Sequence, residues 1–225
     1  MRFVHYPEAA AHGELPNTWP EFLLHDAQSN RYWSRLYTDF PSFQFLALDG
    51  DEIVGEANCL PVHGMPAQWR DAFPNGFDGE GEADRVCALA IIVAPGRRGT
   101  GLSAAMLRHM REVAAPYGSL VAPVRPTWKE RYPLIPIDEY VTWRRPDGTH
   151  FDPWIRTHER AGGRILGPAE DAMVIEGSRE DWQGWTGLEL PGDGDYVIPG
   201  ALAPVRFERG HGIYREPCVW VEHPV

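Results

Sequence analysis

Cysteine is scarce in this chain, with three in 225 residues. Cys59, Cys87 and Cys218 are far apart and form no CxxC pair, which excludes a disulfide framework and offers no zinc or dithiol site. Cys87 falls in an apolar strand-like run and reads as a buried structural thiol rather than a nucleophile, which fits a reducing cytoplasm. Long apolar runs are also missing: no window approaches the ~20 apolar residues of a membrane helix. The segment Met1-Arg2-Phe3-Val4-His5-Tyr6-Pro7 lacks the apolar core of a signal peptide. The expectation is a soluble, cytoplasmic protein that does not engage a membrane. Basic charge is short as well, with 21 Lys and Arg against 32 Asp and Glu and a net charge of -11. That balance argues against a nucleic-acid binder, which needs a basic face, and favours solubility.

What is present suits a globular fold: 43% hydrophobic, 12% aromatic and 24% charged residues, in a length that can bury a proper core. Residues 17–38 carry apolar side chains at helical spacing and predict one or two amphipathic helices. Asp49-Gly50-Asp51 between two apolar runs predicts a β-hairpin. Residues 61–84, rich in Pro, Gly and acidic side chains, predict a surface loop. A strand over 86–93, a helix over 102–114 ended by Pro116 and Gly118, and a strand over 120–124 then form a strand-turn-helix-strand unit with parallel pairing. The aromatic, Pro-rich stretch 125–151 is long enough to act as a functional cover. Asp152 and Pro153 mark the start of a short helix, as N-cap and first residue, and Gly162-Gly163 its end. Short strands and turns follow from Ile165. The fold class is therefore α+β (mixed α/β), with a domain over 1–176 and a β-rich extension over 177–225 packed on it.

The run Ile91-Ile92-Val93-Ala94-Pro95-Gly96-Arg97-Arg98-Gly99-Thr100-Gly101-Leu102-Ser103 holds the strongest functional signal. An apolar strand breaks at a Gly/Arg turn and resumes as a helix, so unpartnered first-turn amides and the helix dipole meet an approachable backbone. Phosphate or pyrophosphate is the natural guest. The same residues satisfy G-x-G-x-x-G/A of dinucleotide-binding folds, but that reading needs an acidic residue about 20 positions on. The sequence has Pro123, Val124 and Arg125 there.

Arg98-Gly99-Thr100-Gly101-Leu102-Ser103 also matches Q/R-x-x-G-x-G/A with Ser in the last small position, after a Val-x-Pro strand end. On this signature and the element order, residues 20–176 resemble the GNAT superfamily of acyl-CoA-dependent acyltransferases. The resemblance implies a central mixed sheet flanked by helices. It also implies pyrophosphate held at Arg98, Gly99, Gly101 and Ser103, with the pantetheine arm along Ala90, Ile91 and Val93. The Trp-rich tail, with Trp182, Trp185, Tyr196, Tyr214 and an ending Glu216-Pro217-Cys218-Val219-Trp220, is similar to tails on actinobacterial GNAT-like proteins; such aromatics read as packing for an extra sheet.

Members of the superfamily often place a tyrosine near the thiolate sulfur within Tyr-x-x-x-Gly-Phe. The matching stretch here is His158-Glu159-Arg160-Ala161-Gly162-Gly163, so His158 replaces the tyrosine and Gly163 the aromatic. An imidazole with a pKa near ~6.5 donates or accepts a proton at neutral pH more readily than a phenol near ~10. Trp154, four residues earlier, shares a helix face with His158 and walls the same site. Glu82 and Asp84 read as loop charges. Substrate contacts are expected among Arg125, Lys129, Tyr132 and Tyr140, and Asp138 and Glu139 also fall in that insertion. No metal is expected.

The function implied is N-acyl transfer from acetyl-CoA, or another acyl-CoA, to a small amine by direct attack in a ternary complex, with a homodimer possible. The alternatives are a GNAT-like decarboxylase of a malonyl thioester or acyl loader, and a CoA-binding module without turnover. NAD binding is the most distant.

Overall fold

The computed structural model describes residues 1–225. The expected hairpin forms β2 (Gln44–Asp49) and β3 (Glu52–Val62), with Gly50 at φ 64° in the turn. Outside it lies β1 (Arg2–His5), antiparallel to β2 and too short to announce itself by alternation. Next come β4 (Arg85–Val93), α3 (Leu102–Ala114) and β5 (Ser119–Val124), and β4 and β5 pair in parallel. One parallel pair inside an otherwise antiparallel sheet, with no second strand-helix repeat, removes the dinucleotide-binding topology.

One sequence expectation is sharpened and one needs correction. Within 17–38 only the second half is α-helical: α1 (Ala27–Asp39) starts where the Asp26 side chain accepts from Ser29 N at 2.8 Å, and residues 21–25 form a 3₁₀ turn. The segment 61–84 is not a free loop, because a 3₁₀ turn at Trp69–Asp71 leads into α2 (Ala72–Asp78). Its Pro74 sits in the first turn, where no amide is needed. Trp69, Phe73 and Phe77 pack against Tyr32 and Trp33 of α1, and that aromatic burial outweighs the loop-like composition.

β4 divides the core by its period of two. Val86 and Ala88 join the cluster under α3, whereas Cys87 and Leu89 join the cluster under α1 and α2. All three cysteines are buried and free.

The insertion 125–151 contains α4 (Ile137–Tyr140) and a knot of Tyr132, Tyr140, Trp143 and Phe151, with ring centroids 5.0–6.2 Å apart. It leads into α5 (Pro153–Arg160). Then β6 (Arg164–Ser178), α6 (Arg179–Thr186), β7 (Gly194–Tyr196), β8 (Val205–Glu208) and β9 (His211–Pro224) complete the chain. The sheet runs β1-β2-β3-β4-β5-β9-β8-β7, and β6 pairs along β9. The last strand is thus an interior member of the sheet, and β6 runs through position 176. Trp182, Tyr214 and Phe207 close a third core over Phe22.

Candidate active site

Beyond Val86–Leu120 and Cys87–Val121, β4 and β5 stop pairing. A bulge lies just past that point: Asn58 faces Ala90 and Cys59 faces Ala88, leaving Leu89 without a ladder partner. Bulges bend a strand and re-aim it. Here the Leu89 carbonyl accepts the Trp69 Nε1 hydrogen at 3.0 Å, and β5 continues along β9 while β4 swings away. The gap is a cleft of about 650 Å³ between Ala88–Val93 and Ala122–Arg125.

The Gly/Arg turn forms one end of this cleft. Gly99 and Gly101 have φ of 77° and 87°, and a Cβ at either would meet nothing within 4 Å. Their requirement is therefore backbone conformation together with open approach, not crowding inside the protein. Gly101 precedes α3, whose first turn has no side-chain cap, so its amides remain available. Arg97 is held to the hairpin by Asp49 at 2.8 Å and Glu52 at 2.9 Å. Arg98 is exposed beside it.

The opposite wall comes from α5. One oxygen of Asp152 caps this helix, accepting from Trp154 N at 2.9 Å and Ile155 N at 3.2 Å. The other accepts from Trp128 N at 2.7 Å and the Tyr140 hydroxyl at 2.9 Å, which fixes the helix to the aromatic insertion. Trp154 and His158 line the cleft from this helix, their rings 4.4 Å apart and nearly perpendicular. His158 is 2% exposed; its Nδ1 lies 2.9 Å from His223 Nε2, and its Nε2 has no partner in the protein. Burial, and then the facing His223, hold the His158 pKa well below the usual imidazole range, so the ring is neutral at neutral pH.

A second cavity, of about 840 Å³, shares Trp19, Leu89, Ala90, Ile92, Pro123 and Arg125 with the cleft. Tyr6, Trp33, Tyr37 and Trp69 give it aromatic walls, and Glu14 and Glu56 give it carboxylates. The Tyr37 hydroxyl donates to Glu56 Oε1 at 2.7 Å and accepts from Asn58 Nδ2 at 3.1 Å. Burial first, then the Glu56 charge, raise the Tyr37 pKa and keep it a donor. A third carboxylate, Glu216, is occupied by Arg125 and the Tyr214 hydroxyl.

Ala90, Ile91, Val93, Arg98, Gly99 and Ser103 all line the cleft, with Gly101 at the adjoining helix start. Arg125 lines both spaces, but Glu216 and the Gly200 carbonyl hold its guanidinium. The other three expected substrate contacts need correction. Lys129 is buried and donates to the carbonyls of Tyr132 at 2.9 Å and Leu202 at 2.7 Å, tying the insertion to the C-terminal segment. Tyr140 is spent on Asp152, and Tyr132 packs in the aromatic knot. Glu82, Asp84, Asp138 and Glu139 stay exposed. Sequence reasoning missed Tyr37 and Glu56, which look like ordinary positions of a helix and a strand, and His223, a lone histidine near the end of the chain.

The acetyltransferase (GNAT) family profile matches residues 10–131, more than half of the chain. Arginine N-acetyltransferase avaD of Aspergillus versicolor is 31% identical over 252 aligned positions, spanning 94% of this chain and 87% of that protein. Two solved structures share the fold. The loading GNATL domain of CurA from Lyngbya majuscula has a TM-score of 0.65 at 18% identity, covering 99% of this chain and 96% of that one. GphF GNAT-like decarboxylase in complex with isobutyryl-CoA has a TM-score of 0.60 at 16% identity, covering 100% and 99%. With the split parallel strands and the glycine turn at their open end, these matches establish that the chain belongs to the GNAT family and is an acyl-CoA-dependent N-acyltransferase.

Proposed function

We propose that the protein transfers an acetyl group from acetyl-CoA to a small cationic amine of the arginine type, in a ternary complex. The observation that carries this reading is the pair of cavities meeting across the diverging strands. One is bounded by backbone suited to a pyrophosphate and an extended arm. The other has aromatic walls and the Glu56 carboxylate, which suit an organic cation. The relative named as an arginine N-acetyltransferase supports the same class of acceptor.

In this reading Arg98, Gly99, Gly101 and Ser103 hold the pyrophosphate, and the edge formed by Ala90, Ile91 and Val93 pairs with the pantetheine. Glu56, with Tyr37 donating to it, faces the cationic end of the acceptor. The neutral amine attacks the thioester carbonyl; the N–C bond forms as the C–S bond breaks. His158 Nε2 takes the proton released by nitrogen and returns it to the leaving sulfur, while Trp154 excludes water from that side. The three free, buried cysteines support a reducing, cytoplasmic setting for this chemistry.

Free-thiol release from acetyl-CoA with L-arginine, agmatine, lysine and uncharged amines tests the assignment. Turnover is expected to favour the guanidinium compounds, and His158→Ala is expected to lower kcat by about 100-fold or more. The cavity beside β3 favours transfer over decarboxylation. Release of acetyl-CoA from malonyl-CoA without any amine, combined with no amine acetylation, would reverse that choice.

A further inference from the structure

The two departures from the family pattern, His158 and Gly163, lie against one another and against His223. Gly163 does not have a positive φ, so backbone conformation does not demand glycine there. Space does: a Cβ at residue 163 would fall 2.7 Å from His223 Cε1, 2.7 Å from Val221 Cγ1 and 2.8 Å from the His158 carbonyl. His223 enters from β9, opposite Leu120 of β5, one alternation beyond Val221 in the core. It is fully buried, its Nε2 meets His158 Nδ1, and its own Nδ1 has no partner in the protein. Burying two imidazoles costs free energy unless they answer one another. From α3, Arg111 closes the far side, donating to the carbonyls of Ala161 at 2.7 Å and Pro224 at 3.0 Å.

We propose that His223 is the positioning residue for His158, setting its ring orientation and tautomer, and that Gly163 exists to make room for it. This inference rests on the reading of His158 as the proton-transfer group. Two neutral rings share a single hydrogen across the 2.9 Å contact. With that hydrogen on His158 Nδ1, the lone pair of Nε2 is free to accept a proton. With it on His223 Nε2, the Nε2 of His158 carries a hydrogen and donates.

During transfer, the proton leaving the amine arrives at His158 Nε2, and the Nδ1 hydrogen stays on His158, where its hydrogen bond to His223 Nε2 steadies the charged ring. Protonation of the leaving sulfur by His158 Nε2 then restores the neutral ring. The amine has lost one proton, the thiolate has gained it, and the pair is back where it began. Burial and the Arg111 guanidinium push the pKa of His223 down to about 4, so His223 stays neutral and serves as the acceptor.

His223→Leu keeps most of the volume without the hydrogen bond, whereas His223→Gln can still reach His158 Nδ1 as donor or acceptor. We expect kcat to fall about 10- to 100-fold in the Leu variant, as for other supporting hydrogen bonds of active-site imidazoles, with KM for both substrates unchanged. The Gln variant should recover a large part of the loss. Nitrogen-15 NMR of the His158 ring should report one dominant tautomer in the native protein and a redistributed one in His223→Leu. Gly163→Ala, which retains both imidazoles, should displace His223 and reproduce a smaller version of both effects. Native kcat in His223→Leu alongside a crippled His158→Ala would overturn the positioning role and leave the proposed chemistry intact. Native kcat in His158→Ala would instead remove the proposed chemistry and the positioning role with it. An unchanged His158 tautomer in His223→Leu would refute the pairing whatever the turnover.

Discussion

The cleft below the glycine turn and the cavity beside β3 share a wall, yet they are made of different material. The glycine-turn end of the cleft is built from main chain: two strands that separate at a bulge, two glycines with positive φ, and the start of α3, while Trp154 and His158 form only its far wall. The cavity is bounded by side chains reaching in from α1, β3 and the 3₁₀ turn at Trp69–Asp71. Main-chain recognition tolerates almost any side chain except where conformation forbids it. It therefore leaves a short, dense signature such as 98–103. Recognition by side chains depends on single positions scattered over sequence, so nothing local marks it.

If that contrast holds, the two sides fail differently when altered. The largest effect is expected for Gly101→Val, since a β-branched residue at φ 87° is strained and its side chain would enter the space left open for the ligand. Strain of about 1–3 kcal/mol, added to the lost approach, corresponds to a loss in acetyl-CoA affinity of about 100-fold. Calorimetry should register it with little change in the KM for the amine. Glu56→Gln should do the reverse: the carboxyl charge goes, Tyr37 retains an acceptor, and the KM for a guanidinium substrate rises by about 10-fold while acetyl-CoA binding is untouched. An equal effect of both substitutions on both substrates would dissolve the distinction between the two sides.

The same contrast explains what was legible in the sequence. Hairpin, signature strand and helix, and the cap at Asp152 each have local causes: a turn tripeptide, a glycine pair, an Asp-Pro start. Of the one or two helices expected over 17–38 one forms, while the loop expected over 61–84 gives way to a 3₁₀ turn and α2 because long-range aromatic packing against α1 decides the local conformation there. Residues expected to bind substrate in 125–151 turned out to brace the insertion: Lys129 reaches the Leu202 carbonyl and Tyr140 reaches Asp152. No spacing rule links Glu56 to Tyr37, or His158 to a histidine 65 residues downstream, because β9 is threaded into the middle of the sheet from the far end of the chain.

The smallest expected effect concerns the histidine pair behind the α5 wall of the cleft, and it reads stability instead of turnover. His158 and His223 both have native pKa values below the ordinary imidazole value, burial being the leading cause in each case. In the unfolded chain both titrate near ~6.5. Below that pH the unfolded state therefore binds protons that the native state refuses. Stability from these groups is complete above about pH 6.5 and is lost as pH falls towards the native value of about 4 for His223. Each withheld proton contributes a slope of about 1.4 kcal/mol per pH unit in that window. Urea midpoints measured from pH 7.5 to 4.5 should fall less steeply, by close to one proton, in His223→Gln than in the native protein. Carboxylates common to both proteins cancel in that difference. Parallel curves would mean that His223 is protonated in the native state, in which case it could not accept from His158 Nδ1.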